Sequence, residues 1–204
     1  MAARAGWFIA GTAPARYDTS TAPSDRGGGT ACELRSVREA PPGFGTLMQE
    51  FVPEGYRGRR VRLTAWLRSE GVSEWCGLWM RVDGPARRML AFDNMSARPI
   101  RGTTGWARYV VVLDVAAEAE VVAFGVILNG EGSVAVDEVA LEVVGDEVAT
   151  TDHGVPAAPS RAAQPGLRVG RQRRGLKPRR RRVTSERCRT ARRGCEHRGR
   201  RAPW

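Results

Sequence analysis

A chain of 204 residues with a formal net charge of +11 has room for one domain with a sound core and an appendage. The charge is unevenly placed: residues 1–159 carry 16 Arg against 20 acids, a net of −4, whereas residues 160–204 carry a net of +15. The basic character therefore belongs to the tail, and the mildly acidic body has no electrostatic reason to hold nucleic acid. No apolar run approaches the roughly 18 residues of a membrane span. The start, MAARAGWFIAGTAPA, has an apolar stretch too short for a signal-peptide core, so the chain as written is expected to stay in the cytoplasm.

Taken in chain order, the body reads as strands. They are expected near 6–10, 31–37, 46–52, 59–69, 75–83, 89–94, 107–114, 121–129 and 133–144, each rich in Val, Leu, Phe or Trp and bounded by Gly, Pro, Asp or Ser. Turn signals lie at Pro41-Pro42-Gly43, Glu54-Gly55, Asp83-Gly84-Pro85 and Asn129-Gly130-Glu131-Gly132. The last joins two apolar strands and reads as a hairpin. Residues 116–120 fit one helical turn and no more. Many short strands at regular spacing predict an all-β sandwich or jelly roll.

The stretch VRLTAWLRSEGVSEWCGLWMRVD, from Val61 to Asp83, carries the sharpest pattern. Side chains on a strand alternate between faces. Val61, Leu63, Ala65 and Leu67 share one face, and Arg62, Thr64, Trp66 and Arg68 the other. Further on, Cys76, Leu78, Met80 and Val82 oppose Trp75, Trp79, Arg81 and Asp83. One face is apolar core, and the other mixes plates, cations and acids. Trp66, Trp75 and Trp79 suit the C–H faces of a sugar ring. Arg62, Arg68 and Arg81 offer forks of donors for hydroxyls or carboxylates. Gln49 and Asn94 can orient hydroxyls, and Asp83 and Asp93 can accept from them. Trp66 and Trp79 are expected side by side on one sheet. The competing reading of the same face is a solvated sheet with cross-strand Arg–acid pairs. Trp106, after Gly105, is expected to serve core or edge packing. Leu63, Leu67, Leu78, Met80, Val82, Val111, Leu113, Phe124, Val126 and Val136 are expected to be buried together.

Catalytic chemistry finds little support. The body has one His, His153, in the linker, so a Ser-His-Asp or Cys-His arrangement lacks its base. There is no phosphate loop, dinucleotide fingerprint or HExxH. Asp83 and Asp93 are the pair to weigh for glycoside hydrolysis, but both sit where such residues satisfy loop backbone, and no enzyme is expected. Cys32 and Cys76 read as small buried hydrophobes. Cys188 and Cys195, with His197 nearby, lack zinc-site spacing, so neither metal nor cofactor is expected.

Beyond Asp152 the composition shifts. Residues 146–165 read as a linker, and 166–204 as a disordered Arg-rich tail, because so few aliphatic residues cannot offset the entropy of ordering. Two readings of this tail stay open. It is suited to non-specific nucleic-acid binding, and its Arg, Gly, Pro and Ala bias is equally what an unintended reading frame yields in a high-GC genome.

Gly43–Gly84, with the following LAFDNMSARPIRGTTGWARYVVVLDV, resembles bacterial galactose-binding-like jelly rolls of the carbohydrate-binding-module type. The shared parts are a Gln-containing strand, Y-x-G-x-x-V-x-L-x-A-x-L-R, a later G-W with a Val-rich strand, and a closing V-x-V-D-[DE]-V-x-L. That closing pattern falls on Val134, Val136, Asp137, Glu138, Val139 and Leu141. The opening GWFIAGTAPARYDTS resembles the first strand of such modules, and the likeness spans about Gly6 to Val144. LAFDNM and RPI-x-GT are similar to a subgroup found beside helix-turn-helix regulators. The resemblance implies a jelly-roll sandwich over 6–145. It also implies a non-catalytic module for a carbohydrate or small polar ligand, or else a sensor-like or structural module related to a transcriptional regulator. The family's leading N-x-[GD]-F-E is missing before Gly6. Of the residues that hold calcium in some members, only Asp137 and Glu138 remain, so no calcium is expected.

Overall fold

A computed structural model of the chain describes residues 6–24, 29–37 and 43–152. They form nine strands: β1 Phe8–Gly11, β2 Tyr17–Ser24, β3 Gly29–Ser36, β4 Phe44–Phe51, β5 Arg59–Asp83, β6 Met89–Asp93, β7 Ile100–Val115, β8 Val121–Asn129 and β9 Ser133–Val144. Every pairing among the described residues is antiparallel, and β5 takes part in four of the eight. Its first half pairs with β7 on one side and β9 on the other, and its second half with β8 and β6. The result is a jelly-roll sandwich. The front sheet runs β2-β3-β9-β5-β7 and the back sheet β1-β4-β8-β5-β6, with β5 passing from one to the other.

The apolar half of each alternation lines the space between the sheets. Val61, Leu63, Ala65 and Leu67 from the first half of β5 meet Leu78, Met80 and Val82 from the second. Leu34, Leu47, Val111, Leu113, Phe124, Val126, Leu128, Val134 and Val136 complete the cluster. The ten residues expected to share a core do so. Trp7 closes one end, edge-on to Phe124 at 5.7 Å between ring centroids. Tyr17 reaches across from β2, and its hydroxyl donates to the carbonyls of Gly43 and Gly130. A Cβ at Gly45 would stand 2.4 Å from the Tyr17 ring, so that position must lack a side chain. Cys76 is buried and Cys32 half-buried against the core.

Four expectations need correction. The segments 59–69 and 75–83 are one strand, because Ser69 to Glu74 stays within it while turning the corner between sheets, with Gly71 at a left-handed φ of 59°. The strand expected at 107–114 begins at Ile100, its first residues following β5 around that corner as far as Cys76↔Ile100. Asn129–Gly132 is no hairpin. β8 and β9 flank different halves of β5, so this turn carries the chain from the back sheet to the front. β2 was not anticipated, since its sequence YDTSTAPS lacks apolar alternation. At 116–120 a single turn forms, closed by Ala119 N–H to the Ala116 carbonyl.

The chain stays on the front sheet past the end of β9. Arg60 donates to the carbonyls of Asp146 and Val148. Thr151 exchanges hydrogen bonds with the backbone of Val112. The first part of the expected linker is thus fixed to the body. The remainder of the linker, the tail, Cys188, Cys195 and both His residues lie outside the described residues. Among the described residues, no helix is long and apolar enough to cross a membrane.

Candidate functional site

The two outward faces differ in chemistry, and the expected site residues are divided between them. Trp66 and Trp79 both face outward, because the inward positions of β5 change from odd (61–67) to even (76–82) across the corner. Trp66, however, lies on the front sheet, opposite Asp137 and Arg108, and Trp79 on the back sheet, opposite Gly125. They do not stand side by side. Alternation fixes the face of a strand but is silent on which sheet that stretch of strand joins.

The outward back face is largely apolar. Trp79 packs with Ala123 and Ile127, and Phe44, Met48, Trp75 and Phe92 close around it. Its ring is 7% exposed, and its Nε1–H donates to Thr46 Oγ1 at 2.7 Å. Trp79 is therefore a packed and hydrogen-bonded plate with little surface to offer. Beside it lies a self-paired charge network. Arg81 donates twice to Asp83 Oδ2, at 3.0 and 2.8 Å, and Arg87 grips Glu50. The Arg87 hydrogen bonds hold the Glu50 carboxyl below the usual carboxylate range. Asp83 is 1% exposed, and its Oδ1 has no hydrogen-bond partner among the described residues.

Three other expected ligands have structural duties or positions. Asp93 points inward beside Met80. It takes Arg98 at 2.6 Å and accepts the Met95 N–H at 2.8 Å. Asn94 caps the same loop through Ser96 N–H, and its carbonyl lies against Gly77, between Trp75 and Trp79 in sequence. Gln49 sits on the inward side of β4, in register with Phe124 and beside Gly6.

The outward front face has Trp66 at its centre. Along β5 its same-face neighbours are Thr64 and Arg68, and across the sheet it faces Asp137 on β9 and Arg108 on β7. Two irregularities set this arrangement. The β5–β9 register slips between Thr64 and Trp66, where Glu138 adopts φ 48°. This bulge brings Asp137 opposite Trp66, where regular pairing would bring Glu138. The β5–β7 register slips between Leu67 and Ser69, which sets Gly105 and Trp106 together against Arg68. Bulges re-aim side chains and recur beside binding sites, and left-handed backbone at a non-glycine residue stores strain.

The Arg68 guanidinium lies 5.3 Å from the centre of the Trp106 ring, a cation–π distance. Trp106 rests on the small side chains Ala22, Ala31 and Ala135, and its buried Nε1 has no hydrogen-bond partner among the described residues. The expectation that it packs at an edge is met, but it also lies on the face that carries Trp66. Trp66, Arg68, Arg108 and Trp106 thus form a checkerboard of two plates and two cations over β5 and β7. Around it, Asp137 Oδ2 accepts from Ser24 at 2.6 Å and Arg62 pairs with Glu142 at 2.8 Å. The Arg62 pair is the cross-strand Arg–acid contact that the solvated-sheet reading anticipated.

Of the expected residues, this face gathers Trp66, Arg68 and Arg62. Arg108, Trp106 and Asp137 were missed as site residues. The alternation Arg108, Val110, Val112, Asp114 marked Arg108 as outward-facing, whereas the placement of the other two follows from bulges that a single sequence does not reveal.

No family model matches the chain. The chain is 40% identical over 153 residues to the uncharacterized HTH-type transcriptional regulator YbfP of Bacillus subtilis (strain 168), a match covering 74% of this chain and 52% of that protein. The chain thus spans about half the length of the curated relative it matches. Among solved structures it is similar to the enzymatically active domain of bacteriophage CBA120 tailspike protein 4, with TM-score 0.52 at 15% identity, covering 68% of this chain and 19% of that one. It is also similar to the family 22 carbohydrate-binding module of Clostridium thermocellum Xyn10B, with TM-score 0.48 at 13% identity, covering 69% and 86%. The chain is a jelly-roll β-sandwich of the kind its sequence resemblance implied, similar in sequence to about half of a helix-turn-helix-type regulator.

Proposed function

We propose that the protein is a non-catalytic binding module that holds a carbohydrate or other small polar ligand on the front sheet over Trp66. The observation that carries this reading is the pair of bulges flanking Trp66, one with Glu138 at φ 48°. One brings Asp137 opposite the half-buried Trp66 and the other sets Trp106 against Arg68, while Arg108 faces Trp66 across β7 in regular register. Strain of this kind is retained where the surrounding structure over-determines it, often at ligand clamps. A plate flanked by an acceptor and fixed donors is what stacking on a sugar ring and orienting its hydroxyls require. The likeness to a carbohydrate-binding module agrees in fold class only. Of the other residues first expected at the site, Trp75 and Trp79 serve packing, Arg81, Asp83 and Asp93 ion pairing and Asn94 turn formation, while Gln49 lies on the inward side of β4.

Calorimetric titration against a panel of plant and bacterial oligosaccharides tests the proposal. Binding of at least one glycan, weakened ten-fold or more by Trp66→Ala in a variant that still unfolds cooperatively, is expected. Silence of every glycan at millimolar concentration, or equal binding by the variant, would overturn it.

A second reading has one observation behind it, the 40% identity to part of an HTH-type transcriptional regulator. On that reading the front face is the effector-sensing surface of a regulator-derived module. Non-specific nucleic-acid binding by the tail rests on residues outside those described and gains no support from the body.

A further inference from the structure

We infer that the ligand of the front face is an acidic saccharide, bearing a carboxylate or a sulfate ester, held between Arg68 and Arg108 while its ring stacks on Trp66. This inference rests on the proposed binding function and narrows it.

The charges on this face are not equally available. Arg62 is engaged by Glu142, and Arg60 by Asp114 at 2.7 Å. Glu33 accepts from Ser20. Asp137 accepts from Ser24 and from the Glu138 N–H. Arg68 and Arg108 are different. Among the described residues neither stands within ion-pair distance of a carboxylate. Arg68 leans on the face of Trp106, and stacking leaves the edge of a guanidinium open for hydrogen bonds. Arg108 is exposed and stands directly across from Trp66. The body as a whole is mildly acidic, so two cations without a carboxylate partner among the described residues, beside one plate, are a local excess against the general field.

The geometry fits one ring and its substituent. Adjacent antiparallel strands lie about 4.8 Å apart, and Arg68 and Arg108 occupy opposite corners of the checkerboard. A pyranose ring on Trp66 therefore has a guanidinium available both along β5 and across on β7. A neutral sugar would use only hydroxyl hydrogen bonds there. A carboxylate or sulfate adds charge-assisted ones, which are roughly twice as strong as neutral ones, and Arg presents the planar fork that suits both groups. On the other side of Trp66, the engaged carboxylate of Asp137 keeps lone pairs for a hydroxyl and disfavours a second anion.

The test compares matched ligands: oligogalacturonate and oligomannuronate against their carboxyl-reduced counterparts, and a sulfated galactan oligomer against its desulfated form. The wild type, Arg108→Gln and Arg68→Gln are titrated at low and high salt. At least one acidic oligomer is expected to bind ten-fold or more tightly than its neutral counterpart. That preference should collapse toward unity in Arg108→Gln and shrink with salt, the acidic oligomer losing several-fold more affinity than its neutral counterpart. Carboxylate and sulfate arms identify which anion is used. Neutral oligomers binding as well as acidic ones would overturn the inference and leave the binding function standing. No binding by any oligomer, neutral or acidic, would overturn both.

Discussion

Replacing Asp93 by Ala should destabilise the fold by about 3 kcal/mol without touching the ligand face. The side chain is 2% exposed and takes Arg98 Nη2 at 2.6 Å and Nη1 at 3.2 Å. It also accepts the Met95 N–H at 2.8 Å, and Met95 sits at φ 61°. The truncation therefore leaves a cation without its partner and a buried N–H without an acceptor. Breaking a fully buried ion pair costs about 3–5 kcal/mol. Arg98 is 35% exposed and keeps its bond to the Val110 carbonyl at 3.1 Å, so water screens part of that loss and roughly 1–2 kcal/mol remains. The orphaned N–H adds about 1–2 kcal/mol. For a domain of this size, 3 kcal/mol lowers Tm by roughly 10 °C. Chemical denaturation and calorimetry measure both quantities. The double change Asp93→Ala with Arg98→Met should recover part of the loss, since no unpaired cation remains. A cost below about 1 kcal/mol would refute the view that Asp93 is a structural clamp, and so would loss of ligand affinity in a stable variant.

Other perturbations follow from the same geometry. Leu63→Ala, at the centre of the core, should cost about 2–5 kcal/mol by denaturant titration. Thr46→Val strips Trp79 Nε1 of its acceptor and removes the donor to the Val126 carbonyl. It should cost about 1–3 kcal/mol and shift Trp79 emission, with ligand affinity unchanged. Burial pushes the Cys76 thiol from its ordinary 9.0 up to about 12. The folded state thus holds this proton more tightly than the unfolded one, and the corresponding stability is fully present below pH 9 and fades as pH rises toward 12. Burial raises the Tyr17 and Tyr109 phenols in the same sense, so denaturation midpoints should fall between pH 9 and 11, and Cys76→Ala should flatten that fall. Glu138→Gly relieves a left-handed backbone and should raise stability by up to about 1 kcal/mol.

The sandwich was legible because its inward residues are strongly apolar. The two alternations, Val61 to Leu67 and Cys76 to Val82, both carry into the core. β2 escaped notice for a physical reason: it ends the front sheet, Tyr17 and Ala22 are its buried apolar residues among those described, and a proline is tolerated in an edge strand. The residues of the proposed face were legible only in part. Trp66 and Arg68 announce an outward polar face on β5, but Trp79, outward in the second alternation, ends under Met48 and Phe92. The corner at Ser69 to Glu74, with Gly71 at φ 59°, separates them; its sequence reads as a break between two strands and does not say that one strand changes sheet. Asp93 and Asp83 looked like acceptors because acids at strand ends are rarely buried. Each is instead held by an arginine two or five residues along the chain.

The central claim is that the ligand face is centred on Trp66 and not on Trp79. Indole N–H resonances, assigned by single Trp→Phe changes and followed through a titration with the tightest oligosaccharide found, test it most directly. Trp66 and Trp106 are predicted to shift in a saturable way with one common dissociation constant, while Trp79, bonded to Thr46, stays still. Saturable shifts at Trp75 and Trp79 with Trp66 unmoved would contradict the account and move the site to the back sheet.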